Sequence, residues 1–239
     1  MFWFWDPTMI LMIPGLILTL WAQSKVKSAF GKFSREGSRS GMTGAETARR
    51  ILDSSGLSGV RIEHVPGQLT DHYDPREGVL RLSDGVHNSK SIAALGIAAH
   101  EAGHAIQHGV KYPALVMRTA VAPAAATGSK LGIWLFIIGM IIPFFSRSAT
   151  IMSINASTIM DAGIILFSFA VVFTLITLPV EFNASKRAII VLEKGGYLTS
   201  DELPKAKAVL DAAAWTYVAA AATSIMMLIR LLILRGSRD

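Results

Sequence analysis

The feature that most constrains this chain is a set of four stretches that carry no charged residue. A helix crossing about 30 Å of hydrocarbon needs roughly 20 mostly apolar residues. Pro7 to Ser24 supplies 18, Ala162 to Val180 supplies 19, and Ala212 to Ile229 supplies 18. The last continues apolar to Leu234, so Arg230 must reach the headgroups or face protein. The fourth, Leu131 to Ser146, has 16 residues and spans only with Lys130 at the headgroups or with a start nearer Thr119. With 51% hydrophobic and 17% charged residues, and a mean hydropathy of +0.45, the chain is too apolar for a disordered or ordinary soluble protein. The absence of Cys excludes disulfides, thiolate zinc sites and Cys nucleophiles.

The N-terminal MFWFWDPTMIL has neither the basic start nor the small-residue cleavage site of a secretory signal. It reads as a retained anchor with Trp3 and Trp5 at the interface. Residues 22–130 hold 14 Lys and Arg and residues 181–211 hold five, whereas the 146–159 connection holds only Arg147. By the bias of basic residues to the cytoplasmic side, both polar segments face inward. Arg235 and Arg238 then fall outside, against that bias. The net charge of +6 and pI near 9.7 follow this topology rather than one basic stripe, so no nucleic-acid partner is expected. The expected organisation is an anchor at 1–24, a cytoplasmic catalytic segment at 25–118, a transmembrane hairpin at 119–180, a second cytoplasmic segment at 181–211, and a last transmembrane helix with its tail at 212–239.

The first polar segment has the marks of a folded domain. Thr43-Gly-Ala-Glu46 is a capping-box pattern that opens a helix ending near Gly56. Val60 to Val65 and Val79 to Leu82 read as strands, with turn chemistry at Asp74 to Gly78. The strand near Val79 is a candidate to add substrate as an extra strand. From about Ser89 to His108 the Ala-rich run is helical, with Gly109 placed to end it.

That helix carries the chemistry. His100-Glu101-Ala-Gly-His104 matches the H-E-x-x-H zinc pattern. Positions i and i+4 project from one helical face, so two imidazoles converge on one ion. Glu101 flanks the open coordination position, where it can accept a water's proton as general base. A catalytic zinc takes three protein ligands, so a carboxylate or another His must be the third. His108 lies two turns, about 12 Å, along the helix from His100 and is poorly placed. Glu181, immediately after the third span, is the better candidate, the alternative being a solvated boundary carboxylate. Two spans separate it from His104, and an even number returns the chain to the same side. Donors toward a developing oxyanion are candidates only: Tyr217, His72, Tyr73 and Arg187.

The segments AAHEAGHAIQ, PVEFNASKRAI, LTDHYDP near residue 70 and AAAWTYVAAA near residue 215 resemble the YugP-type neutral zinc metallopeptidases of prokaryotic membranes, over nearly the whole chain. More distantly, HEAGH followed by a Glu after a span is similar to the HtpX-like integral-membrane proteases, which are gluzincins. The resemblance implies zinc held by His100, His104 and Glu181, with Glu101 catalytic and peptide bonds as substrate. HtpX-like enzymes carry Asp four residues after the ligand Glu, whereas here that position is Ser185.

The resulting expectation is a mainly α integral membrane protein, with about four transmembrane helices and a small α+β gluzincin-like cytoplasmic catalytic domain. Its function is zinc-dependent proteolysis, with Glu101, Tyr217 and His72 as catalytic residues. It is expected to sit in a prokaryotic plasma membrane and to act on peptides, proteins or membrane-protein segments. Two alternatives stay open: site-2-protease-like cleavage within the bilayer, with Asp161 as a weak third ligand, and a non-catalytic zinc-binding scaffold.

Overall fold

A computed structural model of the chain describes residues 6–145 and 149–237, with side chains described outside 144–155. Trp3, Trp5, Arg147 and Arg238, invoked above, lie outside the described residues. The protein is mainly helical with a small mixed sheet. After a 3-10 turn at Pro7–Leu11 come α1 (Met12–Phe33), α2 (Gly44–Ser54), β1 (Arg61–Val65), β2 (His72–Asp74), β3 (Val79–Ser83), α3 (Ile92–Gly109), α4 (Pro113–Phe145), α5 (Ala149–Lys194) and α6 (Leu203–Gly236). Among the described residues, α1, α4, α5 and α6 each contain a stretch long and apolar enough to cross a membrane. Helix α4 begins at Pro113, well before the charge-free run, because Arg118 and Lys130 do not interrupt a helix and Pro123 lies inside it.

The chain divides into two compact units. The first is drawn from the described parts of Met1–Leu20, Val116–Leu178 and Tyr217–Asp239. Its helices turn Ile10, Ile13, Leu16, Ile17, Trp134 and Ile165 outward, as lipid-facing surfaces require. Small residues allow close helix approach: a Cβ on Gly132 would stand 2.7 Å from the carbonyl oxygen of Gly163. Arg230 faces protein rather than headgroups, donating to Asp6 at 2.6 Å. Arg235, one of the basic residues that ran against the topology rule, donates to Asp161 at 2.8 Å.

The second unit comprises Trp21–Leu115 and Pro179–Thr216. Helix α2 starts with the expected capping box, Thr43 and Glu46 bonding reciprocally to each other's backbone N–H groups, a device worth about 1 kcal/mol. The sheet has the order β1-β3-β2, with β1 parallel and β2 antiparallel to β3. Strand β3 is therefore central and paired on both sides, which overturns its reading as a strand that adds substrate. The β2 strand, three residues long, is too short to show as an alternating pattern. One core gathers Ile51 and Leu52 of α2, Leu80 and Leu82 of β3, Leu95 and Ala99 of α3, Leu192 of α5 and Leu210 of α6, and a smaller one joins Phe33, Ala93 and Val209. Burying each large aliphatic side chain contributes about 1.5–3 kcal/mol.

Candidate metal centre

Helix α3 is placed by small residues. Ser91 caps it, accepting from the backbone N–H of Ala94 at 3.1 Å. Gly96 and Gly103, two turns apart on one stripe, face Ala206 of α6 and Ala184 of α5. A Cβ on Gly103 would stand 2.8 Å from the Ala184 carbonyl oxygen. This backbone-to-backbone approach carries α3 against the segment of α5 just after Pro179. The helix runs through Gly109 to a cap at Val110, and Lys111, at φ 53°, takes the left-handed conformation that the sequence had suggested for glycine.

Across that contact His100, His104 and Glu181 come together. Their ligating atoms all lie within 4.8 Å of one another. Oε2 of Glu181 is 3.4 Å from Nε2 of His100 and 3.4 Å from Nε2 of His104. The imidazoles stand almost perpendicular, at 87°, with centroids 4.7 Å apart. Glu181 is 2% exposed. A separation of 3.4 Å is long for an N–H···O hydrogen bond, but it matches the edge of a tetrahedron whose bonds are about 2.1 Å. Two neutral nitrogens and one carboxylate oxygen are also a donor set that zinc takes with one position left open. The three residues thus fit the metal that the sequence pattern implies.

The outward ring nitrogens are held as well. Gln107, fully buried, donates through Nε2 to the Val180 carbonyl at 2.8 Å and to Oδ1 of Asn183 at 3.0 Å. Its oxygen therefore faces Nδ1 of His104, at 3.0 Å, and accepts from it. Oγ of Ser185 lies 3.2 Å from Nδ1 of His100. A His whose Nδ1 carries the proton presents a lone pair at Nε2, the atom facing Glu181. His104 holds its proton above the ordinary imidazole range: burial, the largest influence, pushes it down, but the Glu181 carboxylate, the charge of Glu101 and the Gln107 contact push it up and prevail.

Glu101 is 8% exposed, and its charge acts on His104. His108 is exposed and outside the ligand cluster, with Nδ1 3.0 Å from the hydroxyl of Tyr73. His72 lies on β2 with Nδ1 2.8 Å from the Thr70 carbonyl. Arg187 donates through Nε to Oδ1 of Asn183 at 2.7 Å. Tyr217 is a half-buried residue of α6. Asp161, the alternative third ligand, is engaged by Arg235. Sequence reasoning overlooked Gln107, although its place three residues after His104 on the same helix was a usable signal.

Residues 8–236 match the model of a family described as "Putative neutral zinc metallopeptidase". A relative from Bacillus subtilis (strain 168), named "Putative membrane protease YugP", is 47% identical over 230 residues, covering 96% of this chain and 97% of its own length. No solved structure matches. The four apolar helices among the described residues and this relative mark the chain as a membrane protein. With a family match over nearly its entire length and a ligand trio able to hold the metal, the chain belongs to this family of neutral zinc metallopeptidases.

Proposed function

We propose that this protein is a membrane protease that hydrolyses peptide bonds with Glu101 as general base, in the gluzincin manner. The observation that carries the reading is Glu181 meeting both imidazoles of the HEAGH helix, with the buried Glu101 next to His100 in sequence and its charge acting on His104. Zinc bound by His100, His104 and Glu181 would supply Lewis acidity, bringing the pKa of a water toward about 7 and polarising the scissile carbonyl. Glu101 takes the proton of the attacking water and returns it to the leaving amine.

Extended substrate is expected to add along an edge of the sheet, and β2 is the edge strand that packs against α3. His72, on that strand, and Tyr217 are proposed as donors to the developing oxyanion. Because the Nδ1 proton of His72 is directed to the Thr70 carbonyl, this residue can donate through Nε2 only as imidazolium. Tyr217 donates as a neutral phenol. The proposed setting is the plasma membrane of a prokaryote, with the site facing the cytoplasm and with protein or membrane-protein segments as substrates. The excess of basic residues in 22–130 and 181–211 supports that orientation.

The experiment is chelator-sensitive cleavage of an unfolded protein by the purified full chain in lipid nanodiscs. Cleavage that disappears with chelator, returns with zinc and is absent from Glu101→Gln supports the reading. Chelator-insensitive cleavage, or cleavage by Glu101→Gln at the wild-type rate, refutes it.

A further inference from the structure

Most metal-bound histidines are steadied at their second nitrogen by a carboxylate, a backbone carbonyl or water. Here neither outward nitrogen meets a carboxylate: His104 meets the amide oxygen of Gln107 and His100 meets the hydroxyl of Ser185. We propose that Gln107 is a positioning residue for the metal, its neutral amide fixing the proton of His104 on Nδ1 and thereby aiming Nε2 at the position shared with Glu181. The inference rests on metal binding at that trio.

The orientation of the amide is set by its surroundings. A backbone carbonyl only accepts, so the Gln107 nitrogen must point at Val180 and the oxygen at His104. Asn183 reinforces this, because its Oδ1 accepts from both Gln107 and Arg187. Every hydrogen-bonding capacity that Gln107 uses is spent between α3 and the first turn of α5 after Pro179. A side chain with no exposed surface holds one arrangement tightly, since the reversed amide would set two acceptors against each other. A neutral acceptor also leaves the imidazole less basic than a carboxylate would. The metal is then gripped less firmly and remains a stronger electrophile.

Two substitutions separate this role from a structural one. Gln107→Met removes every side-chain hydrogen bond, whereas Gln107→Glu, which in this buried place can stay protonated and donate to Val180, keeps an acceptor for His104. Zinc affinity of the full chain in detergent is read by competition with a fluorescent chelator, and the visible spectrum of the cobalt-loaded protein reports the ligand geometry. Gln107→Met should bind zinc about 10–100-fold more weakly, with an altered cobalt spectrum. Gln107→Glu should stay within about threefold of wild type or bind more tightly, with the tetrahedral cobalt bands kept. Equal losses in the two variants, or a larger one in Gln107→Glu, overturn the proposal. Independently of either variant, 15N-histidine spectra of the zinc-loaded wild type should show the His104 proton on Nδ1, and a proton on Nε2 overturns it. A wild-type chain that takes up no zinc overturns the metal reading itself, which distinguishes that failure from failure of the positioning role alone.

Discussion

Gly103 and Ala184 meet backbone to backbone: a Cβ on the first would lie 2.8 Å from the carbonyl oxygen of the second. The contact sits between the two ligand-bearing helices, one turn from Glu181, so the spacing of those helices and the closure of the ligand trio are one property.

Gly103→Ala therefore opposes two effects. Alanine is favoured over glycine inside a helix by about 1 kcal/mol. The added methyl must push rigid backbone aside, at a cost of about 1–3 kcal/mol, and it moves Glu181 away from the imidazoles. The expected outcome is a lower thermal midpoint together with weaker zinc binding. A variant as stable as wild type with unchanged zinc affinity contradicts this account.

Removing the base and removing a ligand should differ in kind. Glu101→Gln is expected to keep one zinc per chain and to lose about 100–10,000-fold in turnover. Glu181→Ala and His100→Ala are expected to lose the metal, by elemental analysis after dialysis, and activity with it. Stoichiometric zinc in Glu181→Ala is the result that would remove Glu181 from the ligand set.

Zinc affinity should fall as the solution is acidified, because the metal must displace a proton from His104. With the His104 pKa raised, protonation competes already above about 6.5, the ordinary imidazole value, and grows as pH drops further. Glu101→Gln removes one of the charges that raise this pKa, so its loss of affinity should begin at lower pH than in wild type. Chelator competition across pH 5.5–8.5, a range bracketing about 6.5, measures both onsets. Identical onsets refute the electrostatic contribution of Glu101.

Ser185→Asp places a carboxylate beside Nδ1 of His100, where the hydroxyl now lies at 3.2 Å. The site is half-buried, so the charge is tolerated, and the more basic imidazole should hold zinc about 10-fold more tightly. Slower zinc release to a chelator is the readout. Release at the wild-type rate argues that Ser185 does not act through His100.

Much of the centre was legible because its signals are local. The i, i+4 spacing of His100 and His104 and the capping box at Thr43 need only chain order. The remainder depended on distant encounters. Gln107 reads as an ordinary polar residue on an Ala-rich helix until Val180, 73 positions later, is packed against it. Arg230 meets Asp6 and Thr8, more than 220 positions earlier in the chain. Helix α4 starts at Pro113, six residues before the Thr119 start that the sequence offered, because Arg118 does not interrupt a helix even though it bounds an uncharged run. The two edge strands of the sheet could not be ranked before β3 was seen between them.

The ligands are also separated in time. On the ribosome, His100 and His104 emerge long before Glu181, and all of α4 and most of α5 must be synthesised in between. A nascent chain truncated before Val180 carries two of the three donors and lacks the carbonyl that orients Gln107. The full trio of candidate ligands is thus present only once 181 of the 239 residues, just over three-quarters of the chain, have been translated.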